Sequence, residues 1–520
     1  MERKIRWWVV VPPSILIVLS VVLNIFMPDT FLEVVNSINN KILDIFGESF
    51  SIVGIIMFLL CIVLFFHPIS KTKIGGNDAK PILKKHTWFG VALCTSVAAG
   101  VLFWAIAEPL YHMIDPPKFL GITPNSKESA LFAMSTMFLH WCFTPYAIYT
   151  VPAVLFAYMY YNKKKSNSLS SIVIPLIGDK LSKKLSPHID ALALYTLIPG
   201  MAASLATGIL TICGGINYIT NIPITTMMIF VVMLVIVSMF IISCTTGLTN
   251  GIKKLSNLNI LMFGLLVVIV LIFTDISGII DVGSKGFISY ISDFMQNSTL
   301  AASHPEDSWG RSWTVFYWCN WMAWAPITAL FLGRISYGYT IREAIFVNFV
   351  APAICAIVWI TVFSGSVINM QMDTQALGNI LVNNGAESAV FKFLEAFPMS
   401  GLIVPLFIAV LFISLVTACD STTASMSNLC YSNISKVDDE AGIGIKIFWG
   451  VLIGLLGFIM LSTSGIDGIK ILSNIGGLPG LIVQIVTALS VIKLLLTYKS
   501  EKSIEGNKSK SKGKTTEKVS

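Results

Sequence analysis

The chain has 520 residues, 55% hydrophobic and only 12% charged, with a mean hydropathy of +0.78. Soluble proteins carry roughly 25% charged residues, so the composition excludes a soluble globular protein and places the chain in a membrane. The net charge of +7 sits in loops and a C-terminal tail, which excludes a nucleic-acid partner and leaves membrane lipids as the surface those lysines meet.

Twelve apolar stretches are near the roughly 20 residues that a bilayer demands. They run approximately over 7–27, 50–67, 87–107, 129–160, 190–219, 225–247, 256–274, 313–332, 345–368, 401–424, 442–461 and 472–496. Met1-Glu-Arg-Lys-Ile-Arg6 leads into the first with no clear small-residue cleavage site, so it reads as a span and not as a removed signal peptide. With the N-terminus inside, 28 of the 35 Lys and Arg fall on the inner side and 7 on the outer. That asymmetry predicts a plasma-membrane protein with both termini in the cytoplasm. Of the two long outer segments, Asp275–Ser312 contains an expected surface helix over Phe287–Phe294, and Met370–Phe397 can fold locally. The tail Lys499–Ser520 is Lys, Ser, Gly and Thr, too polar to bury anything, and is expected to be disordered. Nine cysteines show no CxxC or Cys/His spacing, so no metal, disulfide framework or cofactor is expected.

The residues that stand out are aromatic. Trp313 to Pro326 holds four tryptophans, and Trp318, Trp321 and Trp324 recur every three residues, a drifting stripe on one side of a helix. Anchoring tryptophans collect at the ends of a span, whereas these continue into it. Pro326 removes a backbone donor and predicts a kink or break. A second cluster, Phe138-Leu-His-Trp141-Cys-Phe-Thr-Pro145-Tyr146-Ala-Ile-Tyr149, puts Trp141 and Tyr149 on one face, with Pro145 loosening the ladder and turning Tyr146 toward it. Indole and phenol faces in such numbers suit a cation without hydrogen-bond donors; packing is the competing reading of any one ring. The third span breaks at Ser96-Val-Ala-Ala-Gly100, and the tenth carries the polar run Thr417-Ala-Cys-Asp420-Ser-Thr-Thr-Ala-Ser425. Interrupted spans in matching positions point to a midplane site in an inverted-repeat transporter, here two five-helix repeats opening at the third and eighth spans.

At these residues the chain resembles the betaine/choline/carnitine transporters. The resemblance is carried by Phe316-Tyr-Trp-x-x-Trp-x-x-Trp-x-Pro326, Gly333-Arg-Ile-Ser336, Ala107-Glu-Pro-Leu110, His140-Trp141 through Tyr149, Leu255-Ser-Asn257 and Asp420-Ser421, spread over nearly the whole chain. It implies an all-α membrane protein of the leucine-transporter-like kind, with twelve transmembrane helices in two inverted repeats preceded by two extra helices. The chain then divides into 1–86 (tail and two peripheral helices), 87–274 (first repeat), 275–312 (outer loop), 313–496 (second repeat) and 497–520 (basic cytoplasmic tail). It also implies a small quaternary ammonium substrate and a homotrimer. By the same resemblance Trp141, Tyr146, Tyr149 and Trp321 form an aromatic box, with Trp324 on the inward path, Phe316 near it and Tyr111 just beyond Glu108. Asn320 stands where carnitine-type members have a further tryptophan, which turns one wall into an amide.

The resemblance also frames the driving force. Sodium-coupled members hold an ion between the broken third span and the tenth, here Val97, Thr417, Asp420 and Ser421. Ala418 and Met201 replace expected hydroxyls and Asn259 replaces an exchanger's arginine, so neither ion pattern is complete and a sodium-independent mode is favoured. Glu108 is expected to pair structurally, and His140 to pack with a hydrogen-bonded ring. The expected function is secondary transport of a trimethylammonium zwitterion, with sodium symport of another amine or amino acid on the same scaffold as the alternative. No catalytic residues are expected, because neither a His/Asp/Glu cluster nor a nucleophile elbow is evident. No signalling domain follows the last span, which speaks against a membrane sensor, and no P-loop against ATP-driven transport.

Overall fold

A computed structural model describes all residues except 1–3, 97–99, 246–252, 301–303, 305, 433–440 and 517–520. Among the described residues the only extended pairings are two isolated bridges, Ile5–Tyr431 and Lys73–Thr340; the rest is helix and connection. In chain order the α-helices are α1 (Trp7–Phe26), α2 (Pro28–Phe66), α3 (Lys85–Ser96), α4 (Gly100–Ile114), α5 (Lys127–Trp141), α6 (Phe143–Ala157), α7 (Ile174–Ile177), α8 (Asp179–Thr220), α9 (Thr226–Thr245) and α10 (Lys253–Phe273). They continue as α11 (Ile276–Ser292), α12 (Phe294–Ser298), α13 (Phe316–Ile335), α14 (Ile341–Ile345), α15 (Ala351–Thr374), α16 (Ala376–Asn384), α17 (Ala386–Glu395), α18 (Ser400–Leu429) and α19 (Ile443–Thr516). This is an all-α membrane protein.

Among the described residues ten helical segments are long and apolar enough to span a membrane, or eleven if the bent pair α3–α4 is one span. The count of ten takes α19 once and leaves out the pair α3–α4, which is why it lies below the expected twelve. The stretches 442–461 and 472–496 both lie in α19, as two helices that meet at a kink at Gly465, whose φ of 54° and ψ of −132° suit a residue without a Cβ. The basic tail, expected to be disordered, continues this helix to Thr516, since extending a formed helix needs no new nucleus. Helix α2 starts at Pro28, well before the expected 50, because proline at a first turn is already set for helix.

Both prolines in the aromatic clusters act at a distance. Pro145 cannot donate to the Trp141 carbonyl and its ring crowds it, so the helix breaks three residues earlier, at Cys142 (φ −99°, ψ −110°), separating α5 from α6. Pro326 frees the Met322 carbonyl, yet α13 runs through it unbroken. There Gly480 of α19 presses its backbone against that oxygen: a Cβ on Gly480 would stand 2.4 Å from it. One turn earlier a Cβ on Gly477 would meet the Cys319 Cα at 2.6 Å. Small residues thus let α13 and α19 approach backbone to backbone, as membrane helices do where no hydrophobic drive pushes them together.

The two long segments between spans fold as well. Helix α11 takes in the expected surface helix as far as Ser292 and starts it earlier, at Ile276, burying Ile279, Gly283, Gly286 and Tyr290 along one stripe that packs on α5 and α15. The Met370–Phe397 stretch forms the end of α15 together with α16 and α17. α13 lies at the centre, packed against α6, α8 and α19 and buried along nearly its whole length.

Candidate functional site

Trp321 projects from the middle of α13 and is 1% exposed. Around it stand Trp141 from the end of α5, with ring centres 5.5 Å apart and planes at 83°, Tyr149 at 5.5 Å and 68°, and Tyr146 at 6.2 Å and 56°. The break at Cys142 allows this convergence, because it lets α5 and α6 present their rings at different angles. The four residues predicted as a box are brought together. They do not enclose one cavity. A small cavity of about 20 Å³, room for about one water, is lined by Trp141, Trp321, Asn320 and Phe316, and Tyr146 and Tyr149 are not part of its wall. Trp104, Tyr317, Ser204, Thr207, Ile469 and Ser473 complete its wall. The rings therefore touch one another in this state, and a ligand larger than water must part them.

The indole N–H groups of the cluster are engaged with protein. Trp321 Nε1 donates to the His140 carbonyl at 3.0 Å, Trp141 Nε1 to Glu108 Oε2 at 2.8 Å, and Trp324 Nε1 to the Gly200 carbonyl and Ser204 Oγ, each at 3.1 Å. Trp324 is buried but does not line the cavity, and Tyr111 lies further out, 5.1 Å from the Trp313 ring. Asn320 Oδ1 accepts from Ser473 Oγ at 3.2 Å.

Behind the rings is a feature that the sequence reading had excluded. Glu108 and His112, one turn apart on α4, meet His140 of α5, and their ligand atoms lie within 4.8 Å of one another, all buried. Glu108 Oε1 pairs with His140 Nδ1 at 2.7 Å and His112 Nε2 at 3.1 Å. Its Oε2 accepts from Trp141 Nε1 and from the Tyr317 hydroxyl, and His140 Nε2 meets Thr314 Oγ1 at 3.1 Å. A carboxylate with four donors is satisfied without an ion, so the cluster is a hub that orients rings. The expectation that Glu108 pairs structurally, and that the His140 ring is hydrogen-bonded, is met. The clue was available in the i, i+4 spacing of Glu108 and His112.

A family model described as BCCT, betaine/carnitine/choline family transporter, matches residues 8–500. The chain belongs to the BCCT family. A glycine betaine transporter of Bacillus subtilis is 29% identical over 487 residues, covering 93% of each chain. An ectoine/hydroxyectoine transporter of Virgibacillus pantothenticus is 29% identical over 497 residues, covering 95% of this chain and 97% of its own. A glycine betaine/proline/choline/ectoine transporter of Vibrio parahaemolyticus is 28% identical over 485 residues, covering 90% and 83%. The solved structure of a Na+-coupled sialic acid symporter matches with a TM-score of 0.41 and 13% identity over 88% of this chain and 83% of that one, too loose a likeness to argue from.

In this BCCT protein the candidate ion residues form a second polar patch. Val97 lies outside the described residues. Thr417 Oγ1 donates within its own helix, 2.9 Å from the Ile413 carbonyl, and Ser421 Oγ lies 3.1 Å from the Ala418 carbonyl and 3.4 Å from Thr95 Oγ1. Asp420 accepts from Ser243 of α9, and Asn259 bonds Ser414, one turn before Thr417, at 3.0 Å. Met201 offers a sulfur, 3.6 Å from Thr422 Oγ1. The hydroxyls of Thr95, Thr417, Ser421 and Thr422, the Asp420 carboxylate and the Met201 thioether thus belong to this patch.

Proposed function

We propose that the protein is a secondary active transporter that moves a trimethylammonium zwitterion, glycine betaine, carnitine or a similar compound, across the plasma membrane by alternating access. Its two five-helix repeats would rock about the ring cluster, with both termini in the cytoplasm. The observation that carries this reading is the arrangement around Trp321. Four aromatic rings converge there, Trp321 and Trp141 have their N–H groups bonded to protein, and the nearby buried carboxylate, Glu108, already holds four donors. Such a site has faces to offer and no free counter-ion. A quaternary ammonium has no N–H to donate, and the negative faces of aromatic rings hold it at about 0.5–2 kcal/mol per ring. Four rings supply about 2–8 kcal/mol, against the roughly 8 kcal/mol of a micromolar complex, so the anionic end must contribute too. The glycine betaine and choline named for relatives support the substrate class.

The test is uptake of labelled glycine betaine and L-carnitine into proteoliposomes, with and without a sodium gradient and with and without unlabelled substrate inside. Saturable uptake of at least one compound is expected, insensitive to sodium and accelerated by internal substrate. Uptake that requires sodium would overturn the sodium-independent mode. No uptake of either would overturn the substrate class.

A further inference from the structure

We propose that Lys470 receives the carboxylate of the substrate and makes the site select zwitterions over simple cations such as choline. The inference rests on the transport reading above and adds to it the recognition of the second pole.

Lys470 lies on α19, shortly after the interruption at Gly465. Its Nζ stands 3.8 Å from the centre of the Trp313 ring and 5.6 Å from that of Phe316. Trp313 lines an outer cavity of about 510 Å³ whose wall also holds Asp115, Glu306 and Asp307. Phe316 lines the small cavity at Trp321. The neighbours Ile469 and Ser473 line that same small cavity, and Ser473 holds Asn320 by its oxygen, which leaves the Asn320 amide nitrogen as a further donor. The ammonium therefore marks the joint between the outer cavity and the ring cluster.

Among the described residues no carboxylate pairs with it directly. The acids whose charge reaches Lys470 are Asp467 and Glu108, and among the described residues neither comes within 4.0 Å to form an ion pair. Glu108 is saturated by its own four donors. A lysine held among apolar rings rests on aromatic faces when no carboxylate is at hand, and a carboxylate in that low-dielectric setting is the stronger partner. The two poles of a zwitterion then sort by chemistry. The methylated nitrogen, with no hydrogen to donate, goes to the rings around Trp321. The carboxylate goes to the three N–H donors of Lys470. A bare cation in the rings gains nothing from Lys470 and meets a like charge instead.

The experiment measures affinity of the purified full chain for glycine betaine and choline, in wild type, Lys470→Gln, Lys470→Met and Lys470→Arg, with thermal unfolding to check folding. The Gln and Met variants are expected to bind betaine about ten- to a hundredfold more weakly while choline binding holds or tightens, so the preference falls. The Arg variant is expected to keep it. Variants that weaken both ligands equally, or neither, would overturn the assignment. A wild type that binds neither ligand would instead overturn the transport reading on which it rests.

Discussion

Trp321 donates its indole N–H to the backbone carbonyl of His140 at 3.0 Å, so the centre of the ring cluster is tied to the helix end that carries Trp141. Trp141 is in turn tied to Glu108 at 2.8 Å. Trp141 and Trp321, which both line the small cavity, are thus held by their N–H edges. Because both ties run through α5, any movement of α5 against α13 changes the distance between the rings.

This separates face from edge at Trp321. Trp321→Phe keeps an aromatic face and loses one hydrogen bond; binding of a trimethylammonium ligand should weaken by about tenfold. Trp321→Ala removes the face and should abolish binding while the protein still folds. Wild-type affinity in Trp321→Ala, measured by titration calorimetry, would contradict the site.

Glu108 accepts from the Trp141 indole and the Tyr317 hydroxyl and pairs with both histidines. Glu108→Gln keeps the shape but turns one acceptor oxygen into a donor facing other donors. Thermal unfolding should show a loss of about 1–3 kcal/mol for the unsatisfied group, together with impaired transport. Unchanged unfolding and unchanged uptake would show the hub to be dispensable.

At the α13–α19 contact, Gly480→Ala must displace the Met322 oxygen, which is backbone and cannot swing away. A destabilisation of about 1–3 kcal/mol is expected, as for other overpacked sites. Gly401, with open space around it, is the control, and Gly401→Ala should leave stability unchanged.

Outside the spans, Glu387 at the start of α17 is half-buried, and burial raises its carboxyl above the ordinary value of 4.5. The folded state therefore holds this proton more tightly than the unfolded chain. Stability from this group is complete below pH 4.5 and is lost as the pH rises through the raised value. Glu387→Gln should then raise the melting temperature at pH 8 and leave it unchanged near pH 4; a larger gain at pH 4 would contradict the sign.

Much of this architecture was legible in the sequence because spacing within a helix is a local property. The recurrence of Trp318, Trp321 and Trp324, and the Trp141–Tyr149 pair, marked the rings that converge. The interruption expected at Ser96–Gly100 falls on residues 97–99, outside the described residues. What spacing could not show was contact between distant segments. The continuity of α13 through Pro326 depends on Gly480, a partner from the far end of the chain. The Glu108 hub needs His140, on a different helix, and the lining roles of Trp104 and Tyr317 follow from how α4 lies against α13. Tyr146 and Tyr149 stand against Trp321 without lining the small cavity, and that placement depends on the turn at Cys142, which sets the direction of α6.

The most direct test of the ring site compares glycine betaine with 3,3-dimethylbutanoate, in which a neutral tert-butyl group replaces the trimethylammonium and the carboxylate is kept. Both have the same shape and the same anionic end, so the difference in affinity reports the cationic head alone. The account predicts that betaine binds at least about thirtyfold more tightly, the equivalent of about 2 kcal/mol from the ring faces. Equal affinities would mean that the rings recognise only an apolar shape, and the cation site at Trp321 would be wrong.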